Sequence, residues 1–420
     1  MKNYFNYDSL VFFVIFFSIL KFIYAIFYGD AVFDMEWSNL YYNLKNDGIY
    51  SIHEIDGKKI PSVYMPPLYP YFLYCFSFLN LSDYFTVKLI IFIQCVLSGI
   101  STIILYKILK KIFNKDLSFP ISLGFYFYPL NFYSASQISS ITLQIFLFIF
   151  FLYFFTKKFL NNECIILGIL SGLLVLIRGE FWLLLLILFT FKLATDYKNF
   201  KKIIISIILC FVVVSPQIFV NYKIFSKIVI TNSSGFNLWR GNSAIPNING
   251  ATIETLDTEV INIKKDIKDL KLKLRENNQI IKYEIYLDDL FKERAVSNIL
   301  ENPKTYFIHY IKKFIAFSVF NFESTYPNYW NPLVFIPEII VSIFALLGLF
   351  LNFFSNKKNF EMMIIIFYYL TLIPIFFVLP RYKLFILPIY FIYIGYFISF
   401  LIKKNFFKET VKQCKQIFRP

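Results

Sequence analysis

Long uninterrupted apolar runs dominate the pattern along the chain, and polar residues collect in the segments between them. An α-helix needs a run of about 20 apolar residues to cross the hydrocarbon core of a bilayer. The runs predict about ten transmembrane helices, which cover 10–28, 84–106, 117–133, 138–156, 163–178, 180–195, 201–221, 333–352, 361–379 and 382–402. The predicted fold class is therefore an all-α polytopic membrane protein.

Composition excludes a soluble protein. The chain is 58% hydrophobic and only 16% charged, whereas soluble domains have about 45–50% apolar and about 25% charged residues. The five cysteines are scattered without a CxxC pair, and His53 and His309 are the two histidines in the sequence. A disulfide framework and a histidine-rich metal cluster are therefore not expected.

The positive charge gives the orientation of the spans. A net charge of +15 would suit a nucleic-acid partner, but the lysines lie in short loops between apolar runs, as in the cytoplasmic loops of membrane proteins. Alternation from a cytoplasmic N-terminus makes these basic segments cytoplasmic. We therefore expect a multi-pass protein of the plasma (inner) membrane, with both termini in the cytoplasm and no nucleic-acid partner.

Two long segments then fall outside the cytoplasm. The organisation we predict is an N-terminal membrane module, 1–221, with a first outer loop at 29–83, then a second outer loop at 222–332, and C-terminal membrane helices with a basic tail at 333–420. In the second loop, 254–301 is expected to contain one amphipathic helix that packs on the core of the loop itself or on a partner helix, with a dedicated recognition role as the alternative. Its apolar stripe is Leu256, Val260, Ile263, Ile267, Leu270 and Leu274.

Arginine is rare in this lysine-rich chain, so the position of each arginine is informative. Arg178, Arg240 and Arg381 are all predicted at the outer membrane face, and Lys383 adds a fourth positive charge there. Guanidinium groups are suited to phosphate oxygens, and the phosphate of a lipid lies at this depth. Snorkelling to lipid headgroups, or an ion pair such as Arg178 with Glu180, is the structural alternative.

Two carboxylates follow the first span. Asp34 and Glu36 are two positions apart, which points them to different sides of a strand or helix, so we expect one to be functional and the other solvated. The alternative role for Asp34 is to cap a helix over 35–46. Farther along, the prolines of 64–70 predict an extended strap that cannot start a normal helix before Pro70.

These segments resemble the GT-C glycosyltransferases, in the branch that includes protein O-mannosyltransferases and the aminoarabinose transferase of lipid A. An acidic residue after the first span, Gly48-x-Tyr50-Ser51 and Pro66-Pro67-Leu68-Tyr69-Pro70 are similar to the first half of that family. The later matches are Leu176-x-Arg178-Gly179-Glu180, the loop Thr231 to Asn242, Asn302-Pro303 with Tyr306, and Arg381-Tyr382-Lys383-Leu384 with Pro388. Three features depart from the family. Gly179 stands where proline is common, the outer end of the fourth span lacks an acidic residue, and the Asp-Glu pair of many members is split here into Asp34 and Glu36.

The resemblance implies inverting transfer of a sugar from a polyprenyl-phosphate donor to a glycan, lipid or protein acceptor on the outer face. Asp34, with Glu36 as the alternative, would be the general base. The donor phosphate would be bound by Arg178, Arg240, Arg381 and Lys383. The residues expected to shape the substrate loop are Tyr64, Pro66, Pro67, Tyr69, Asn237, Asn242 and Tyr382. The residues identify no definite cofactor and leave metal dependence open, since Asp34 and Glu36 could share a Mg²⁺ or Mn²⁺ ion with the donor phosphate.

Other classes of protein remain as alternatives. A transporter or flippase of lipid-linked sugars would need polar residues midway along several spans, and an O-antigen polymerase or ligase would also use outer-loop arginines. Asp34 and the Pro-Pro-Leu strap argue against the polymerase or ligase. A purely structural assembly subunit is the third alternative, and the sequence identifies neither the sugar nor the acceptor.

Overall fold

The computed structural model describes residues 7–29, 31–157, 161–252, 259–354 and 359–417, and within these ranges the regular secondary structure is helical apart from one small hairpin. The hairpin consists of β1 (Ser51–Ile55) and β2 (Lys58–Pro61), which pair antiparallel. The helices are α1 (Tyr7–Tyr28), α2 (Met35–Asp47), α3 (Leu68–Cys75), α4 (Asp83–Ile112), α5 (Lys115–Phe127), α6 (Pro129–Ser134), α7 (Ile141–Phe155), α8 (Asn161–Ile177), α9 (Phe181–Thr195), α10 (Phe200–Phe225), α11 (Ser234–Gly241), α12 (Glu259–Glu276), α13 (Tyr283–Glu301), α14 (Pro303–Ser318), α15 (Pro332–Phe353), α16 (Phe360–Leu372) and α17 (Leu387–Ile417).

Four of the described helices are long and apolar enough to cross a membrane. They are Tyr7–Tyr28, Asp83–Ile112, Tyr197–Phe225 and Pro332–Phe353. Other apolar helices, such as α7 and α9, have 15 residues each and so extend only about 23 Å at 1.5 Å per residue. The helical class of the fold is as predicted, and the count of about ten spans stays a prediction.

Proline interrupts two of the predicted spans, and a 3-10 turn delays the start of a third. The run 117–133 is divided at Tyr128, whose extended ψ of 123° ends α5 before Pro129 starts α6, because a residue that precedes proline avoids the helical conformation. The run 361–379 ends as an α-helix at Leu372, where a short 3-10 turn with Pro374 follows. The last run begins with a 3-10 turn, so α17 starts only at Leu387.

The helices share one large apolar core. Ile149 of α7, Leu174 of α8, Leu188 of α9, Ile366 of α16 and Ile392 of α17 are all completely buried in it. The strap enters the same core, because Tyr69 is buried and its hydroxyl donates to Gln94 of α4 at 3.0 Å. Helix α3 begins at Leu68, before Pro70, so the prediction of no helix at this point was wrong. Pro70 is tolerated there because the first turn of a helix does not need its N–H.

The amphipathic stripe of the second outer loop packs inward, as predicted. Ile263 and Leu274 are buried, and Ile267 and Leu270 pack beside them against residues of α13. The segment forms two helices and not one, because the chain reverses after α12 at Asn278, which has a left-handed φ of 54°. Leu256 and the side chain of Val260 lie outside the described residues.

The two long segments predicted as outer loops form one unit. Ile55 and Ile60 of the first loop are buried against Leu274 and Tyr283 of the second. Segments that pack together must lie on the same side of a membrane. The packing therefore agrees with the even number of spans predicted between the two loops.

Candidate functional site

A cavity of about 290 Å³ lies between the two outer loops. Its polar lining is Glu36, His53, Tyr64, Glu284 and Asp288. The remaining wall is aliphatic and aromatic, and it is formed by Ile52, Phe236, Ile267, Tyr283, Leu287 and Phe291. A few convergent polar groups in an otherwise apolar pocket are typical of a binding site for a small ligand.

Glu284 of α13 holds one wall of this cavity in place. Its Oε2 atom accepts hydrogen bonds from the backbone N–H groups of Val63 and Tyr64, at 2.6 and 2.9 Å, and from the Ser62 hydroxyl at 2.9 Å. The other oxygen, Oε1, is buried and has no hydrogen-bond partner among the described residues, and Nε2 of His53 is 3.7 Å away. Burial raises the pKa of Glu284 to about 7, although the three hydrogen bonds oppose the shift.

Asp288, one turn after Glu284, holds the start of α11. Its two carboxylate oxygens accept the N–H groups of Gly235 at 3.0 Å and Phe236 at 2.8 Å, which are otherwise unsatisfied in the first turn of a helix. Burial raises the pKa of Asp288, and these hydrogen bonds oppose that shift. Gly235 is required at this contact, because a Cβ atom there would lie 2.1 Å from the Asp288 carbonyl oxygen.

Helix α11 brings Arg240 close to the cavity. The Nε atom of Arg240 donates to the Ala251 carbonyl at 3.2 Å, and its guanidinium lies 4.1 Å from the centre of the Phe377 ring. The pKa of the cavity residue Tyr64 is raised by burial and by the charge of Glu36, whereas the charge of Arg240 opposes the increase. The charges of Glu36 on α2 and Arg240 on α11 therefore shift the pKa of the Tyr64 hydroxyl in opposite directions.

All three arginines predicted at the outer face surround one set of rings, Phe377, Tyr382 and Phe385, which we call the aromatic ladder. The Tyr382 ring centre is 5.4 Å from each of the other two. Arg240 lies over Phe377, Arg178 lies 4.0 Å from the centre of Phe385, and Arg381 lies 5.9 Å from that of Tyr382. Residues far apart in the sequence thus form one cationic and aromatic cluster, in which Phe377 and Phe385 are buried.

The ion pair proposed as the alternative for Arg178 is also present. Its Nε atom donates to a carboxylate oxygen of Glu180, and the side chains of the two residues are 25% and 18% exposed. Arg178 therefore has a fixed pair with Glu180 and a partly exposed side chain whose guanidinium lies against the buried ring of Phe385. Arg381 is exposed.

Lys383 has a different environment from the three arginines. Its buried ammonium donates to Glu338 at 2.6 Å, the Val319 carbonyl at 2.7 Å and Ser342 at 3.2 Å. An ammonium group has three donors, so these contacts use all of them. These bonds anchor the 3-10 turn that carries Arg381 and Tyr382 to α15 and to the end of α14.

The Trp-Arg-Gly-Asn end of α11 is fixed to the C-terminal segment by Lys313 of α14. The Lys313 ammonium donates to the Gly241 carbonyl at 3.1 Å, Oδ1 of Asn242 at 3.2 Å and the Phe376 carbonyl at 2.7 Å. Asn242 is buried and donates to the Ile375 carbonyl at 2.9 Å, while Asn237 is half-buried on the same helix. These contacts position Arg240 beside the aromatic ladder.

The two carboxylates of the first loop occupy different positions, as their spacing predicts. Asp34 is exposed and directly precedes α2, which is the position of an N-cap, and its carbonyl accepts the Ser38 N–H at 3.2 Å. Glu36 is half-buried and lines the cavity. The structure therefore brings Glu36 to the cavity wall, with Asp34 two residues away along the chain.

The strap supplies the remaining predicted residues. Tyr64 lines the cavity with its backbone held by Glu284. Pro66 is half-buried, and Pro67 is buried directly before α3. Tyr69 turns away from the cavity into the helix core and packs edge-on against Trp37, with ring centres 4.9 Å apart.

The described residues do not supply a metal centre. No group of three or more His, Cys, Asp or Glu side chains in these ranges is arranged to hold an ion. Asp34 and Glu36 therefore have no third ligand of this kind in the part of the chain that the structure describes.

No protein-family model matches the chain, and no curated protein matches it significantly.

Glu284, Asp288 and Lys313 are site residues that inspection of the sequence missed, because they lie in a stretch rich in exposed charges. A signal was present. Glu284 and Asp288 are four residues apart and share one face of α13 with Leu287 and Phe291. Carboxylates within an apolar stripe are costly to bury unless they are bonded, so they indicate a structural or binding role.

Proposed function

We propose that this protein is an integral-membrane glycosyltransferase of the GT-C type, with about ten spans and both termini in the cytoplasm. In this proposal it transfers a sugar from a polyprenyl-phosphate donor to an acceptor on the outer face of the plasma (inner) membrane. The observation that carries the proposal is the proximity of the carboxylate-lined cavity to the three arginines. The ring of Phe236 in the cavity wall lies 6.0 Å from the Tyr64 ring and 6.0 Å from the guanidinium of Arg240, which is one of the three arginines around the aromatic ladder.

The arginine surface supports binding of the donor phosphate. Transfer breaks the bond between the anomeric carbon and the phosphate oxygen, and the leaving group gains negative charge as it departs. Fixed positive groups in a partly desolvated site stabilise that charge. Arg178, Arg240 and Arg381 provide these positive groups.

The first-loop carboxylates support activation of the acceptor. In the proposed step the acceptor oxygen or nitrogen attacks the anomeric carbon from the side opposite the phosphate, so the configuration inverts. Its proton passes to Asp34, which the family resemblance favours as the base, while Glu36 orients the acceptor from the cavity wall. Base catalysis of this kind contributes about 10²- to 10⁴-fold in rate. No step in the proposal passes through a metal ion.

One observation favours a second candidate, a flippase of lipid-linked sugars. Charged residues are buried in long helices, as Lys21 is in α1, where its ammonium donates to Ser98 at 3.2 Å, and as Glu338 is in α15. Ionisable groups within spans often line transport pathways. Both of these residues have bonded partners inside the fold, which is equally what a structural role requires.

The two candidates predict different products. The purified protein in proteoliposomes is supplied with radiolabelled polyprenyl-phosphate sugars and with cell-envelope extract as acceptor. A transferase releases polyprenyl phosphate and labels the acceptor, whereas a flippase moves intact donor between leaflets. Translocation without any bond cleavage would reject the transferase, and mass spectrometry of envelope glycans after gene deletion would then identify the accumulated lipid.

A further inference from the structure

The buried Glu284 carboxylate has different surroundings at its two oxygens. Oε2 accepts three hydrogen bonds from Ser62, Val63 and Tyr64, and Oε1 has no hydrogen-bond partner among the described residues although Glu284 is only 4% exposed. A buried acceptor without a partner costs about 1 to 3 kcal/mol. A ligand that supplies an O–H or N–H group in the cavity would remove that cost.

The rest of the cavity narrows the choice of ligand. Among the described residues no lysine or arginine lines it, and it contains carboxylates, so a phosphate is disfavoured there. Its volume of about 290 Å³ is at the small end for ligand pockets and is too small for an isoprenoid chain. Tyr283, Phe236 and Phe291 add aromatic surface, which suits a ligand with C–H faces as well as hydroxyl groups.

We propose that this cavity binds one neutral, hydroxyl-bearing sugar ring, with Oε1 of Glu284 accepting a ring hydroxyl. The assignment of that ring to the acceptor rests on the proposed function, because Glu36 lines the same cavity and a general base acts on the acceptor. Asp288 does not compete for this role, since both its oxygens accept backbone N–H groups of α11.

A neutral ring fits the cavity better than an amine does. Burial raises the pKa of Glu284 to about 7, so this carboxyl is partly protonated at neutral pH, whereas a site built for a cation would keep it ionised. A hydroxyl group can bond to either form of the carboxyl group. The pKa of His53 is lowered, first by burial and then by the charge of Lys271, so the imidazole at the same oxygen is mainly neutral.

The test uses the full chain in nanodiscs and measures saturation-transfer NMR of methyl α-D-glucopyranoside, methyl α-D-mannopyranoside and glucosamine. Glu284→Gln is the decisive variant, because its amide oxygen can retain the three bonds to Ser62–Tyr64 while its NH₂ group places a donor where Oε1 accepts. Leu287→Trp fills the cavity and serves as a second variant should Glu284→Gln not fold. The matched control is Glu293→Gln, an exposed position on the same helix.

We expect a neutral glycoside to bind to the wild type and to Glu293→Gln, and to bind at least tenfold more weakly to both cavity variants. Equal binding by all four proteins, or preference for protonated glucosamine, would overturn the proposal. Transfer kinetics separate it from the proposed function. Sugar transfer with an acceptor KM unchanged in Glu284→Gln rejects the acceptor site alone, whereas glycoside binding without transfer from any lipid-phosphate donor rejects the transferase and retains the sugar site.

Discussion

The carboxylate of Glu284 accepts the backbone N–H of Val63 at 2.6 Å, although 221 residues separate the two in the sequence. This bond joins the first outer loop to the second. A topology in which the loops lie on opposite faces of the membrane would break it.

Topology is therefore the first prediction. Reporter fusions after residues 60 and 290 should both give an outer-face signal, and fusions after 112 and 200 should give a cytoplasmic signal, because the basic loops between spans stay inside. The measurement is the ratio of alkaline phosphatase to green fluorescent protein activity at each site. Opposite signals at 60 and 290 would contradict the packing of the loops, and a cytoplasmic signal at both would put the candidate site on the wrong face.

Glu284 also gives a prediction about stability. Glu284→Ala leaves the Val63 N–H and the Ser62 hydroxyl without their acceptor, at about 1 to 3 kcal/mol for each buried group, and leaves the Tyr64 N–H with only its 3.3 Å contact to the Ser62 hydroxyl oxygen. Glu284→Gln keeps an acceptor in place and should cost much less. Thermal unfolding of the purified protein measures the difference, and equal melting temperatures for the two variants would show that these bonds do not hold the loops together.

The pKa of Glu284 makes stability depend on pH. Because the pKa is raised from 4.5 to about 7 in the folded protein, the folded state binds this proton more tightly than the unfolded state. Protonation of Glu284 therefore contributes on the order of 3 kcal/mol to the free energy of unfolding. This contribution is fully present below pH 4.5 and is lost as the pH rises through about 7. The melting temperature of the wild type relative to Glu284→Gln should therefore fall between pH 5 and pH 8. A constant difference would contradict the shift, and Glu293→Gln should show no such trend.

The arginines should control use of the donor. Arg178→Ala and Arg381→Ala each remove a charge-assisted hydrogen bond to the phosphate of about 1.5 to 3 kcal/mol, which is roughly a 10- to 150-fold loss in kcat/KM. Lysine should rescue only in part, because it cannot form the planar bidentate contact. Steady-state transfer against donor concentration measures the effect. The matched control is Arg275→Ala, which removes an exposed ion pair with Asp56. Wild-type kinetics in both Arg178→Ala and Arg381→Ala would leave these two arginines with only a structural role.

A separate experiment determines whether Lys383 acts as a phosphate ligand or as an anchor. Glu338→Ala leaves the buried ammonium without its counter-charge and should cost about 3 to 5 kcal/mol, whereas Glu338→Leu with Lys383→Met removes both charges and should restore most of the stability. Size-exclusion profiles and melting temperatures report the difference. If the double variant folds but loses donor binding, Lys383 is a phosphate ligand as the sequence predicts, and retained donor binding identifies it as an anchor.

The sequence predicted the helical class and the individual charged residues better than it predicted their partners. The run of apolar residues identifies α4 directly, but the breaks at Tyr128 and Leu372 depend on how proline residues act within runs that are apolar throughout. Arg178, Arg240 and Arg381 were recognisable because arginine is rare here. The sequence did not show that these arginines meet at Phe377, Tyr382 and Phe385, because aromatic residues are so abundant that composition cannot locate a particular ring.

The spacing of Asp34 and Glu36 correctly predicted that the two carboxylates would differ, and the structure places Glu36 in the cavity wall. The role of Asp34 as the general base remains a prediction. It depends on a contact with the acceptor, and sequence spacing alone does not determine that contact.

The most direct test of the central claim is single-turnover transfer by Asp34→Asn and Glu36→Gln, measured beside donor binding on the same purified proteins. Asp34→Asn keeps the shape of the side chain but cannot take the acceptor's proton, so turnover should fall by about 10²- to 10⁴-fold while the donor still binds. Glu36→Gln should cost much less and act mainly on the acceptor KM. Wild-type turnover by Asp34→Asn, or an equal collapse in both variants, would contradict an aspartate base at this site.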